Sequence, residues 1–138
     1  MIVIDSSAFS KFLMKEKGWE KVIPYLEPDL EPYAVDMLLL EAANVIWKYM
    51  RKYQLITKEQ ALGLYDGMVK LVREEVIILE PSEKYLREAL EIAMIHDTPI
   101  YEGLFLAQAK SLRAELITSD ERQGEIARKM GLEAVYID

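Results

Sequence analysis

Five short, almost wholly apolar runs punctuate the chain: MIVID (1–5), PYAV (32–35), VIILE (76–80), ELIT (115–118) and AVYI (134–137). Runs of that length, rich in Val and Ile, read as buried strands. Between them apolar residues return every three or four positions, the period of a helix with one buried face. That period predicts helices over Ser7–Lys15, Trp19–Leu26 (limited by Pro28), Met37–Tyr53, Thr57–Arg73, Ser82–Ile95, Thr98–Leu112 and Glu121–Met130, the last ended by Gly131. Thr57 and Gln60 have the spacing of a capping box. Thr98-Pro99 has the order of an N-cap followed by proline at the first helical position. Strands alternating with helices predict one α/β domain over residues 1–138, its parallel sheet of four to five strands covered on both faces. Ligands of such sheets bind beyond the carboxyl ends of the strands, near a topological switch point.

One predicted helix breaks its own pattern. DMLLLEAANVIW (36–47) is apolar except for Asp36, Glu41 and Asn44, and no Lys or Arg occurs between Lys21 and Lys48. A buried, unpaired carboxylate costs several kcal/mol. Glu41 therefore needs a partner from elsewhere in the fold or a bound cation. Asn44, three residues on, shares its face.

Composition narrows the chemistry. The absence of cysteine excludes disulfides, thiolate zinc sites and cysteine nucleophiles, and the single histidine, His96, excludes His-rich metal sites. A net charge of −7 argues against a broadly basic nucleic-acid-binding surface. Acids in excess are nevertheless what a metal-dependent site requires. The longest uncharged stretch, Gly103 to Ala109, is seven residues, far short of the roughly 20 that a membrane span needs. Without a basic leader before MIVID, the expectation is a cytoplasmic protein with no membrane partner.

Two acids stand where the strand-end rule points: Asp5 closing MIVID and Asp120 closing ELITSD. Each could merely cap the helix that follows, although Ser6 and Ser7 could cap in place of Asp5. Glu102, about four positions into the helix after Thr98, is a further candidate, with Asp97 competing for the same role as a loop or capping acid. Carboxylates with few histidines suit hard divalent cations such as Mg²⁺ or Mn²⁺. Such ions activate water and steady the charge on a phosphodiester.

The order MIVIDSS, then LLLEAANVIW, then PIYEGLFLAQAKSLRAELITSD resembles the PIN-domain family, in particular its VapC-like toxins, over essentially the whole chain. The resemblance implies a three-layer α/β/α fold and a Mg²⁺- or Mn²⁺-dependent ribonuclease. It also implies a homodimer or higher homo-oligomer, inhibited by a cognate antitoxin protein. By position, Asp5, Glu41 and Asp120 match the family's acids, Glu102 stands where Asp is usual, and Asn44, Ser7 and Thr118 match supporting positions. The reading is of metal-activated water attacking RNA at Asp5, Glu41, Glu102 and Asp120. The alternative is a PIN-like module, weakened at Glu102, that holds a protein partner.

Weaker signals have plainer readings beside them. Lys11, Lys48 and Arg51 could rim an RNA groove or simply be solvated helix charges. His96 could move a proton or lie at the surface. Tyr49, Tyr53, Tyr65, Trp19 and Trp47 could stack bases or fill core and interfaces. A haloacid-dehalogenase phosphatase would want a second acid where Ser7 stands, and a receiver domain an Asp near residue 55, where MRKYQLITK has none. P-loop, dinucleotide and nucleophile-elbow motifs are absent.

Overall fold

The computed structural model describes Met1–Asp138. Its five strands, β1 (Ile2–Ile4), β2 (Pro32–Val35), β3 (Ile78–Glu80), β4 (Glu115–Thr118) and β5 (Ala134–Tyr136), form one parallel sheet in the order β3-β2-β1-β4-β5. The chain builds outwards from β1 to β3 on one side, then returns to place β4 and β5 on the other. The switch point therefore lies between β1 and β4, which pair with Val3 beside Leu116 and Ile4 beside Ile117. The carboxyl ends of those two strands carry Asp5 and Asp120.

Six α-helices cover the sheet: α1 (Ser6–Leu13), α2 (Met37–Trp47), α3 (Lys58–Arg73), α4 (Leu86–His96), α5 (Ile100–Leu112) and α6 (Glu121–Lys129). The central strands are sealed on both faces, with Val3, Ile4, Leu116 and Ile117 fully buried. α5 explains the uncharged stretch: every residue from Gly103 to Ala109 is buried, as expected of a helix that is apolar all round.

The structure departs from the predicted helices in local detail. Trp19–Leu26 is a 3-10 helix, because Pro24 within it has no N–H to give an α-turn. The helix predicted to reach Tyr53 is α-helical to Trp47 and then opens into a wide π-type turn over Lys48–Lys52. The segment from Ser82 starts as a 3-10 turn and becomes α4 at Leu86. Thr98 does not cap: Pro99 is the extended N-cap residue, and α5 begins at Ile100. The Thr57–Gln60 capping box forms as expected, with both reciprocal bonds present.

α4 and α5 pack closely along their length, and their backbones approach at Gly103, the residue after Glu102. A Cβ on Gly103 would lie 2.6 Å from the Ala89 carbonyl oxygen, so only glycine lets the helices approach this closely next to Glu102. Gly103→Ala is therefore expected to lower stability by about 2–3 kcal/mol, or roughly 5–10 °C in Tm, measured by thermal denaturation. Gly63→Ala on α3, which faces open space, should leave Tm unchanged or raise it.

Candidate active site

Asp5 ends β1 and is the N-cap of α1. Its Oδ1 accepts the Ala8 N–H at 3.0 Å and the Ser7 hydroxyl at 2.6 Å. Of the two capping readings the sequence left open, the carboxylate is the one found: Asp5 caps, and Ser7 supports it. Asp120 likewise caps α6, taking the N–H groups of Arg122 at 3.0 Å and Gln123 at 3.2 Å. Ser7 joins the two strand ends. Its oxygen accepts the Ser119 N–H at 2.8 Å and lies 3.1 Å from the Thr118 hydroxyl, which accepts the Asp120 N–H at 3.1 Å. Ser7 gives its one proton to Asp5, so the single Thr118 proton is shared between the Ser7 oxygen and the Asp120 carbonyl, 3.4 Å away.

Asp5 is 4% exposed. Burial pushes its carboxyl up to about 6, with the nearby Asp120 charge adding to the rise, against the bonds from Ser7, Thr118 and Ala8. Glu41, half-buried on α2, accepts the Ser6 hydroxyl at 2.8 Å. Burial raises its carboxyl too, and the charge of Glu102 contributes while Ser6 opposes. Glu102 accepts the Thr98 hydroxyl at 2.5 Å. None of these acids takes part in an ion pair.

The acids thus stand as two mutually repelling pairs, Asp5 with Asp120 and Glu41 with Glu102. No three of them converge closely enough to ligate one ion as the side chains lie. Asp97 sits in the turn after α4 with φ 52°, and its carbonyl accepts from Arg122. Asn44 lines a groove with Glu41, and its side chain makes no hydrogen bond within the chain. Lys11, Lys48 and Arg51 have no bond to the acids, and His96 contributes only its carbonyl, to Arg122 at 3.2 Å. Of the aromatic candidates, Trp19 packs on Phe12, and Tyr49 on Tyr53.

Reading the sequence alone left several contributors unassigned. Ser6 and Thr98 bind the two glutamates, and Gln123 donates its side-chain N–H to the Glu102 carbonyl at 2.9 Å. Arg122 and Gln123 therefore tie the first turn of α6, which Asp120 caps, to the α4–α5 segment. The only local signal was the Asp-x-x-Gln spacing of a capping box, and the fold sends that side chain elsewhere.

The PIN-domain family model matches residues 2–129. The chain belongs to the PIN-domain family. It is similar to Ribonuclease VapC3 of Pyrobaculum aerophilum, 22% identical over 124 residues that cover 90% of this chain and 92% of the relative. Its fold matches the crystal structures of PAE2754 from Pyrobaculum aerophilum (TM-score 0.67, 16% identity, 97% and 88% of the two chains) and FitAcB from Neisseria gonorrhoeae (TM-score 0.65, 15% identity, 97% and 96%). No helix of this PIN domain is long and apolar enough to cross a membrane.

The donor set suits a divalent cation. All four acids offer oxygen, none has a basic partner, and both bonds to Asp5 fall on Oδ1. The acids at the other strand ends behave differently. Asp36 takes two bonds from Ser82. Glu80 is opposed by burial, but bonds from Gln108, Lys84 and Tyr85 more than offset this and hold its carboxyl below the ordinary range.

The raised Asp5 value has a direct consequence for the metal-free protein. The folded state retains a proton that the unfolded chain releases near pH 4, so this group's contribution is full below pH 4 and lost as pH rises through about 6. Asp5→Asn keeps the Oδ1 acceptor and removes the charge. In EDTA it should match wild type near pH 4 and be more stable above pH 7, by on the order of 2–3 kcal/mol, measured by denaturant titration at both pH values.

Proposed function

We propose that this PIN domain is a Mg²⁺- or Mn²⁺-dependent endoribonuclease of the VapC type, the toxin of a toxin–antitoxin pair. What supports the reading is two acid pairs without a basic partner, Asp5 with Asp120 at the β1/β4 switch point and Glu41 with Glu102 on α2 and α5. The ribonuclease relative supports the choice of RNA as substrate.

The four acids would hold the ion. When bound, it lowers the pKa of water and stabilises charge on the phosphodiester. Asp5 and Asp120, fixed as helix caps, form the rigid wall of the site. Glu41 and Glu102 close on it with longer arms, each steadied by a hydroxyl, Ser6 or Thr98. Glu102 reaches one methylene further than the Asp usual in the family, and the Thr98 hydroxyl holds it. Lys11, Lys48 and Arg51 would meet phosphates only at the rim.

Leu86, Leu90 and Met94 form an exposed apolar stripe at i, i+4 and i+8 of α4, with Ile95 76% exposed beside it. This stripe supports self-association, and the antitoxin would be a second protein partner. A second reading, a partner-binding module without cleavage, has one observation in its favour: the acids do not yet converge on one point.

RNA cleavage separates the two. Wild type in Mn²⁺ or Mg²⁺ should cut a structured RNA, and EDTA should abolish cutting. Asp5→Asn should lower the rate at least a hundredfold, and Glu102→Asp should keep it within tenfold. Intact RNA with folded, metal-supplied protein would favour the binding module.

A further inference from the structure

A groove of about 450 Å³ adjoins the acids between α2 and α5, lined by Met37, Leu40, Glu41, Asn44 and Tyr101. Two of its large apolar side chains are unusually open: Leu40 is 66% and Tyr101 52% exposed. Surfaces of this kind, broad and apolar with few polar groups, mark binding sites more often than chance. No lysine or arginine lines it, so its chemistry does not suit a phosphate. It offers instead an aromatic face at Tyr101, an aliphatic face at Leu40 and Met37, and an amide at Asn44 that makes no hydrogen bond. A flat, neutral ring with donors and acceptors on its edge fits that set.

Position selects which flat ring. Glu41 is a wall of this groove and a member of the acid cluster, and Tyr101 immediately precedes Glu102. Because Glu41 belongs to both, a strand whose phosphodiester lies at the acids would carry an adjoining nucleotide into this groove. We infer that the groove seats one unpaired nucleobase of the RNA beside the cut bond: Tyr101 stacks on it, Leu40 and Met37 pack it from the side, and the Asn44 amide reads its edge. An amide offers a donor and an acceptor side by side and so distinguishes bases by their edges. Stacking on a tyrosine holds every base. The groove thus makes the enzyme select single-stranded sites with a preference at one flanking position. The inference rests on the ribonuclease reading, but its test does not depend on cleavage.

The four nucleoside 5′-monophosphates, titrated into the full chain in Mg²⁺ and followed by NMR, provide that test. The Asn44 side-chain amide and the Tyr101 ring signals should move with nucleotides and stay still with ribose 5-phosphate, which carries the phosphate without the base. Tyr101→Ala should weaken nucleotide binding about tenfold, Tyr101→Phe should preserve it, and Asn44→Ala should reorder the four affinities. The inference is overturned if no nucleotide moves these signals, or if ribose 5-phosphate moves them equally. It is also overturned if they move only with protein concentration, which would make the groove a contact between copies of the chain. RNA cleavage is read separately: nucleotides that bind without cutting would sink the nuclease reading and leave the subsite standing.

Discussion

A carboxylate held almost out of water without a cationic partner is the constraint around which this PIN domain is arranged. Asp5 is 4% exposed, and only neutral donors reach it: the Ala8 backbone N–H and the Ser7 hydroxyl, with the Thr118 hydroxyl behind Ser7. Those donors do not offset its burial, and its carboxyl stays raised. Glu80, at the end of β3, has the same kind of position and the opposite outcome, because Lys84, Tyr85 and Gln108 converge on it. The same sheet therefore contains an acid that the protein neutralises and another that it leaves charged and strained. A bound divalent cation is the partner that would remove the difference.

The fold explains how such a cluster is built and why it resists collapse. Asp5 and Asp120 are 115 positions apart in sequence, and they become neighbours only because β1 and β4 pair at the switch point. Each caps a helix, and the favourable field of a helix N-terminus partly supports two like charges side by side. Glu41 and Glu102 come from α2 and α5, and Gly103, next to Glu102, lets α5 pack closely on α4. Arg122 and Gln123 then lock the first turn of α6 to the segment bearing Glu102. Rigid caps and flexible glutamates divide the work, with position set by the former and closure by the latter.

Much of this was legible in the chain, for physical reasons that can be named. The strand runs are short, apolar and bounded by turn residues; β1, β2 and β4 are buried, the edge strands β3 and β5 only in part, and strand-end acids follow from the parallel-sheet rule. The Thr57–Gln60 box formed because its signals are entirely local. The Thr98 cap did not form, since Pro99 is itself extended and takes the N-cap position, and the Thr98 hydroxyl donates to Glu102 instead. The wide turn at Lys48–Lys52 contains neither Gly nor Pro and gave no local warning. Asp36 and Asp5 look alike in sequence, each an acid after an apolar run. Their partners distinguish them, and Ser82 lies 46 residues from Asp36. Strand order, which decides who pairs with Asp5, is a tertiary property that periodicity does not encode.

The most direct test of the central claim is a crystal structure with Mn²⁺ bound, the ion located by its anomalous scattering. The expected result is a peak in contact with Asp5 and at least two of Glu41, Glu102 and Asp120, with the glutamates drawn inwards from their metal-free positions. A saturating Mn²⁺ soak that leaves Asp5 without a metal contact, or places ordered ions only elsewhere, would contradict it.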